Sequence, residues 1–256
     1  MTKLNPKIGV VLSGGGAKGA YEAGALSVIV EKTKDIHVMT GASIGAINAA
    51  IFALEYEKTG NMIKATEKVK TTWFELGGLF KLSKTHIIIE ALKAWLTTGS
   101  PLHIKSLVNN TKIKEKIEEL IPPEIKISDL QKIELAINAT CLTTGKTITF
   151  TRTNDISLSK AVLASSCLPL IFETQIINNS YYVDGGIFNN TPLRDALKAQ
   201  VTDVFVIELK PKHSTILQNN RRSKPLYRST QSRHQTNRND HGQNHVRRSK
   251  KSQKNK

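Results

Sequence analysis

The chain has 256 residues, of which 39% are hydrophobic and 23% are charged, and its formal net charge is +16. This composition is typical of a globular protein with one sizeable core, and it excludes collagen-like and fully disordered classes. The two cysteines, Cys141 and Cys167, are too few for a disulfide scaffold or a cysteine-only zinc site, so a reducing compartment is expected.

The first half of the chain alternates predicted strands with predicted helices. In order, the pattern predicts a strand over 8–12, a glycine loop over 14–16, a helix over 17–31, a strand over 36–39 and a helix over 44–55. Such alternation favours a parallel sheet with right-handed crossovers. Residues 61–120 then place apolar side chains, including Trp73 and Trp95, at helical spacing among lysines. They predict a helical cap, which either packs over the sheet or faces an acyl chain or a membrane.

The second half predicts further strands and two short helices. In order, these are a β-hairpin over 133–141 and 146–151, a helix over 157–166, a stretch over 176–183 that leads into Asp184-Gly185-Gly186, a helix over 192–200 and a buried strand over 204–209. Beyond residue 209 the hydrophobic period ends. The sequence therefore predicts an α/β domain over 1–209, followed by a tail over 210–256.

The tail carries nearly all of the excess charge. Residues 1–209 have 23 basic and 20 acidic side chains, whereas residues 210–256 have 14 basic side chains and one acidic side chain, Asp240. One interpretation is a disordered, low-complexity arm that draws the protein to anionic phospholipid or binds polyanions without sequence preference. The other is a segment translated in a different reading frame. Because the domain itself is close to neutral, no specific nucleic-acid partner is expected.

Membrane-spanning and secretory segments are not predicted. The chain has no apolar run near the roughly 20 residues that span a bilayer, and its first residues have too short an apolar core for a signal peptide. A cytoplasmic location is therefore expected, with peripheral membrane contact through the basic tail.

The glycine-rich loop follows the first predicted strand and reads Ser13-Gly14-Gly15-Gly16-Ala17-Lys18-Gly19. Glycines allow close backbone approach, so successive N–H groups and a helix N-terminus can point at one anion. The spacing also satisfies the dinucleotide fingerprint, which leaves a nucleotide-binding α/β protein as an alternative. That alternative lacks an acidic residue at the end of the second strand, and the loop lacks the Gly-Lys-Ser/Thr ending of a P-loop.

A second motif lies between the second predicted strand and its helix: Gly41-Ala42-Ser43-Ile44-Gly45. Small residues two positions before and after a serine allow the sharp turn of a nucleophile elbow. In that turn the Ser43 hydroxyl would be exposed at a helix N-terminus, where the helix dipole favours developing negative charge. The context therefore favours a nucleophilic serine.

A serine nucleophile needs a base. The histidines of the domain, His37, His86 and His103, are not in turn-like acidic or glycine-rich settings and are expected to be structural or solvated. The alternative base is Asp184, which is followed by Gly185 and Gly186 in a loop that lets the backbone approach closely. Aspartate is a weak base at neutral pH, so burial or a hydrogen bond to the serine would have to assist it.

Together these motifs resemble the patatin-like phospholipase family over residues 7–210. The glycine loop, the elbow and Asp184-Gly185-Gly186 occur in that order, and the stretches 164–169 and 184–192 also look like the family. The resemblance implies a three-layer α/β/α fold with a mainly parallel central sheet and a helical cap insertion. It also implies lipid acyl hydrolysis by a Ser-Asp dyad, with no histidine, metal or cofactor.

The resemblance assigns roles to residues of this chain. It implies that Ser43 is the nucleophile, that Asp184 is the base, and that the amides of Gly14, Gly15 and Gly16 form the oxyanion hole. Lys18 matches a basic position of the family loop and either supports the oxyanion region or is simply solvated. The supporting glycines would be Gly41, Gly45, Gly185 and Gly186. The expected enzyme is a serine carboxylic-ester hydrolase, of phospholipase A or lysophospholipase type, acting on a phospholipid or other acyl-ester lipid.

Overall fold

A seven-stranded β-sheet is the centre of the fold in residues 6–80, 110–169 and 172–210, the parts of the chain that the computed structural model describes. The strands are β1 (Ile8–Leu12), β2 (Val38–Ala42), β3 (Glu134–Cys141), β4 (Lys146–Phe150), β5 (Gln175–Ile177), β6 (Ser180–Asp184) and β7 (Asp203–Ile207). The α-helices of these parts are α1 (Gly19–Thr33), α2 (Ile44–Thr59), α3 (Met62–Phe80), α4 (Asn110–Leu120), α5 (Leu158–Ser166) and α6 (Leu193–Lys198). The α/β class expected from the sequence is confirmed.

The central part of the sheet is parallel. β1 pairs in parallel with both β2 and β7, and β2 pairs in parallel with β3. β4 and β6 both run antiparallel to β3, and β5 runs antiparallel to β6, so β5 points the same way as the parallel strands. The crossovers between the parallel strands contain helices, as the alternation of predicted elements requires.

β2 and β6 meet end to end on one edge of β3. β4 pairs with residues 137–141 of β3, β2 pairs with residues 134–138, and β6 pairs with residues 139–141. Residues 137–138 of β3 pair with both β4 and β2, and residues 139–141 pair with both β4 and β6. Because a strand has two edges, β4 occupies one edge of β3, and β2 and β6 share the other. The last residue of β2, Ala42, is paired with Asn138, and the last residue of β6, Asp184, is paired with Ala139. The carboxyl ends of the two strands therefore meet at adjacent positions of β3.

Helices cover both faces of the sheet. On one face, buried strand residues such as Met39 and Ile137 belong to a core shared with α1, α2 and α5. Neighbouring residues of a strand point to opposite faces, and the next residue of β2, Thr40, donates a hydrogen bond to the carbonyl of Pro192, immediately before α6. α6 therefore lies on the other face, which gives the three-layer arrangement.

The described part of the predicted cap packs on the core by one face. α3 buries Met62, Ala65 and Val69 in the same cluster as α1 and α2, while Ile63 and Phe74 of the same helix are exposed, so the packing interpretation holds for one face of this helix. Residues 81–109, with Trp95, lie outside the described residues, as do residues 211–256, so the division at residue 209 remains a prediction. Among the helices of the described ranges, none combines the length and apolar character that crossing a bilayer requires.

Two glycines test how closely the start of α2, just after the predicted nucleophile elbow, packs against β1. A Cβ on Gly45 would overlap the carbonyl group of Leu12 in β1, whereas a Cβ on the exposed Gly24 of α1 would meet no atom within 4 Å. We expect Gly45→Ala to lower the free energy of unfolding by about 1–3 kcal/mol because backbone must shift. Gly24→Ala should instead raise it by about 0.5–1 kcal/mol, since alanine restricts the unfolded chain and favours helix. Urea unfolding measures both, and a Gly45→Ala variant as stable as wild type would contradict this packing.

Candidate active site

Ser43 lies at the turn between β2 and α2 in an unusual backbone conformation. Its φ of 54° and ψ of −123° are values of the first central position of a type II′ turn, which glycine normally occupies. Such a residue costs on the order of 1–3 kcal/mol and persists only when its surroundings hold it. Here the Ser43 N–H donates to Oγ of Ser165 at 2.9 Å, and the Ser43 carbonyl accepts from the N–H of Ala46 at 2.9 Å. The predicted elbow is therefore present as a held, strained turn.

Asp184 accepts the hydrogen bond of the Ser43 hydroxyl. Ser43 Oγ lies 2.6 Å from Asp184 Oδ2, although the two residues are 141 positions apart in sequence. The second carboxylate oxygen, Oδ1, accepts the N–H of Gly186 at 2.7 Å, and the Asp184 N–H donates to the carbonyl of Cys167 at 2.8 Å. The contact follows from the topology, because β2 and β6 end at adjacent positions of β3.

Burial changes the acidity of Asp184. The residue is 1% exposed, and burial raises the pKa of its carboxyl to about 6, although the hydrogen bonds from Ser43 and Gly186 act in the opposite direction. A carboxylate with this pKa is mostly ionised at pH 7 and holds a proton better than a solvated aspartate does. The neighbouring Cys167 stays a neutral thiol because burial raises its pKa to about 12. Burial therefore shifts the pKa of Asp184 in the direction that the expected role of a base requires.

The glycine loop lies beside the serine, but its first glycine is already engaged. A Cβ on Gly14 would lie 3.2 Å from the Cβ of Ser43. The Gly14 N–H, which was expected in the oxyanion hole, donates to the carbonyl of Asn190 at 3.0 Å in this structure. Gly15 and Gly16 are exposed, and no residue in the described ranges accepts a hydrogen bond from their N–H groups.

Further contacts fix both ends of the loop. The side chain of Lys18 donates to the carbonyl of Leu209 at 3.3 Å, and the Leu209 N–H donates to Ser13 Oγ at 2.8 Å. Lys18 thus contacts the segment that follows β7. At the far end, the Nδ2 of Asn48 donates to the carbonyl of Gly19 at 3.0 Å.

Asn48 belongs to a buried polar network that sequence reasoning missed. Its Nδ2 also donates to Glu22 Oε2 at 2.8 Å, and its Oδ1 accepts the indole N–H of Trp73 at 2.9 Å. Burial raises the pKa of Glu22 to about 8, so this carboxyl is mostly neutral at pH 7. The network joins α1, α2 and α3 behind the loop. The signal available in the sequence was one asparagine within the apolar helix that begins at Ile44.

Of the remaining predicted positions, two glycines allow close contacts of the backbone, and the histidines do not lie at the site in the described residues. A Cβ on Gly41 would overlap the backbone of Gly45, and a Cβ on Gly185 would overlap the carbonyl of Asn138, so both glycines allow close backbone approach. His37 lies just before β2, at the opposite end of the strand from Ser43, where its Nδ1 accepts the N–H of Ile8 at 3.2 Å. His86 and His103 lie outside the described residues.

The comparisons with known proteins identify related sequences. The family model described as "Patatin-like phospholipase" matches residues 10–197. The "Probable lipid hydrolase 463L" of Invertebrate iridescent virus 6 is 26% identical over 200 residues, which cover 74% of this chain and 63% of the viral protein. The "Patatin-like phospholipase domain-containing protein 7" of Mus musculus is 27% identical over 213 residues, which cover 83% of this chain and 14% of the mouse protein. The chain thus spans less than two thirds of the length of either relative.

Solved structures are similar at lower identity. VipD from Legionella pneumophila has a TM-score of 0.48 and 19% identity, over 74% of this chain and 47% of that chain. The type III effector ExoU has a TM-score of 0.37 and 17% identity, over 81% of this chain and 49% of that chain. The family assignment depends instead on the family model, which covers most of the chain, and on this basis the chain belongs to the patatin-like phospholipase family.

Proposed function

We propose that this protein hydrolyses acyl esters of lipids with Ser43 as the nucleophile and Asp184 as the general base. The observation that carries the proposal is the 2.6 Å hydrogen bond from Ser43 Oγ to Asp184 Oδ2, made by a serine held in a strained turn. A nucleophile within hydrogen-bonding distance of a base is the arrangement that covalent catalysis needs. The names of the relatives, which include a lipid hydrolase and a phospholipase domain, favour a lipid ester as substrate.

The proposed reaction passes through an acyl enzyme. Asp184 takes the proton of Ser43 Oγ as the oxygen attacks the ester carbonyl carbon, and the carbonyl oxygen becomes an oxyanion. When the ester bond breaks, the leaving alcohol takes the proton from Asp184. Water then attacks the acyl enzyme, again giving its proton to Asp184, and the serine oxygen leaves with that proton as the carboxylic acid is released.

The oxyanion hole is assigned to the amides of Gly15 and Gly16. Both glycines are exposed and follow Gly14, which lies beside Ser43, and no described residue accepts their N–H groups, whereas the Gly14 N–H is bound to Asn190. Donors fixed before the reaction stabilise developing charge without reorganising, and removing one such donor typically slows an enzyme by about 10²–10³.

Apolar side chains beside the site support a lipid substrate. Leu168, Ile187 and Phe188 are 38%, 46% and 63% exposed. Leu168 directly follows Cys167, whose carbonyl accepts the Asp184 N–H. Ile187 and Phe188 directly follow Gly186, whose N–H donates to Asp184 Oδ1. Exposed apolar groups at a site favour a ligand with hydrocarbon chains. A phospholipase A substrate, a lysophospholipid and a neutral acyl ester are all consistent with this surface.

The nucleotide-binding alternative has less support. The first amide of the glycine loop is bound to Asn190, and the Lys18 side chain is directed to the carbonyl of Leu209. A phosphate-binding loop would use these groups on the ligand. A thermal-shift measurement with NAD or ATP separates the two functions, because a nucleotide binder would be stabilised by one of these ligands.

Removal of the nucleophile or of the base tests the proposed reaction. We expect Ser43→Ala to abolish hydrolysis of a short-chain p-nitrophenyl ester, and Asp184→Asn to lower kcat by roughly 10²–10⁴ because an amide cannot accept the proton. The control is Ser27→Ala, since Ser27 is a half-buried serine whose Oγ donates to the Ala23 carbonyl within α1, and its kcat should equal that of wild type. Undiminished turnover by Ser43→Ala would refute the proposed nucleophile.

The pH dependence of the reaction reports the ionisation of Asp184. Because the base must be ionised, kcat/KM should rise with pH and reach half of its plateau near pH 6, the value to which burial raises the Asp184 pKa. Initial rates with an uncharged ester, measured between mildly acidic and neutral pH, give this profile. A profile with its midpoint near 3.9, the ordinary pKa of a solvated aspartate, would be inconsistent with a buried base.

We also propose that the basic tail brings the enzyme to anionic membranes. The support is its 14 basic side chains against one acidic side chain in residues 210–256. Each Lys or Arg near an anionic surface contributes about 1 kcal/mol of binding, and salt screens this attraction. We expect vesicle flotation to recover the protein with phosphatidylglycerol-containing vesicles, less so at high salt, and not with phosphatidylcholine alone. Equal recovery with both would refute the proposal.

Translating the coding DNA downstream of residue 210 in the other frames tests the reading-frame interpretation.

A further inference from the structure

Asn190 holds the first glycine of the loop by two hydrogen bonds. Its main-chain carbonyl accepts the N–H of Gly14 at 3.0 Å, and its side-chain Nδ2 donates to the carbonyl of Gly14 at 3.0 Å. One residue thus satisfies both polar groups of Gly14, directly before the amides of Gly15 and Gly16, for which no described residue is an acceptor. A Cβ on Gly14 would collide with the side-chain oxygen of Asn190, so the absence of a side chain at Gly14 makes the contact possible.

The same asparagine lies on the segment that carries the proposed base. Asn190 is six residues after Asp184, and 176 positions separate it from Gly14 in sequence. Its Oδ1 lies 2.6 Å from the point where a Cβ on Gly186 would be, and Asp184 Oδ1 lies 2.9 Å from that same point. Asn190 therefore touches both sides of the site, the glycine loop through Gly14 and the neighbourhood of Asp184 through Gly186.

We propose that Asn190 is a positioning residue that fixes the glycine loop relative to Asp184 and Ser43. The inference depends on the proposed function, since it concerns how that site is assembled. The two hydrogen bonds hold the peptide groups on both sides of the Gly14 Cα, and the second of these, between Gly14 and Gly15, contains the Gly15 N–H, so the direction of this N–H is fixed. Misplacement of a reacting or stabilising group by about 1 Å can cost roughly 10²-fold in rate. Loss of the side-chain bond should therefore slow catalysis more than it weakens substrate binding.

Two variants of Asn190 and one control test the proposal. Asn190→Ala removes the side-chain donor, and Asn190→Asp removes it while keeping the size of the side chain and the main-chain bond. The matched control is Asn189→Ala, because Asn189 is the preceding asparagine in the same loop and its described hydrogen bond, to the Gly185 carbonyl, is made by its main-chain N–H. With a short soluble ester, we expect both Asn190 variants to lose roughly 10- to 100-fold in kcat with KM changed little. Asn189→Ala should keep the wild-type kcat.

The pH profile separates positioning of the loop from an effect on the base. In Asn190→Ala the burial and hydrogen bonds of Asp184 remain, so the plateau of kcat/KM should fall while its acidic midpoint stays near that of wild type. In Asn190→Asp a second carboxylate would face Asp184 across Gly186, and a like charge within about 4–6 Å raises a carboxyl pKa. The midpoint of this variant should therefore shift to higher pH, in addition to the lower plateau.

The outcomes distinguish this inference from the proposed function. If the wild type has no esterase activity, or Ser43→Ala keeps it, the proposed function fails. If the wild type is active through Ser43 but both Asn190 variants keep its kcat, the positioning role alone is overturned. An equal loss in Asn189→Ala would also overturn it, because the effect would then belong to the loop as a whole. Asn190→Asp preserves shape, so it keeps the test decisive if Asn190→Ala fails to fold.

Discussion

The meeting of β2 and β6 on one edge of β3 is the constraint on which the rest of the site depends. A strand edge can hold two partners only if the two do not overlap, and here both strands end at adjacent positions of β3, Ala42 at Asn138 and Asp184 at Ala139. The residue after Ala42 and the last residue of β6 are thereby placed side by side. The short hydrogen bond between Ser43 and Asp184 therefore depends on strand register as well as on the turn that presents Ser43.

This arrangement stores unfavourable energy that neighbouring groups offset. Ser43 has a positive φ, and Asp184 carries a buried carboxyl whose charged form is disfavoured by desolvation. α5 stabilises both from one side, because Ser165 accepts the N–H of Ser43 and the carbonyl of Cys167, just after the helix, accepts the N–H of Asp184. These contacts fix the backbones of Ser43 and Asp184, and their side chains form the hydrogen bond between Ser43 Oγ and Asp184 Oδ2. The same burial that costs stability makes Asp184 a better proton acceptor.

Much of the fold and the candidate pair of Ser43 and Asp184 could be predicted from sequence, because hydrophobic period and glycine spacing are local signals. The direction of individual N–H groups is not a local signal. Gly14 was expected to serve the oxyanion, yet its amide is bound to Asn190, which lies 176 positions away. Asn190 and Asn48 were missed for the same reason, since their partners are fixed by how strands and helices come together. The spacing of glycines in the sequence indicates where the backbone can approach closely. Which N–H groups keep no acceptor depends on contacts between residues that are distant in sequence.

The contacts of the glycine loop also limit what it can bind. Asn190 engages Gly14 at the start of the loop, and Asn48 engages the carbonyl of Gly19 at its end. Between them, the N–H groups of Gly15, Gly16 and Ala17 have no acceptor in the described ranges, and they follow directly on Gly14, which lies beside Ser43. A pyrophosphate-binding loop would also use the N–H group that Asn190 engages here at the start of the loop. Under the proposed function, the exposed amides of Gly15 and Gly16 are the donors for the oxygen charge that develops when Ser43 attacks an ester carbonyl.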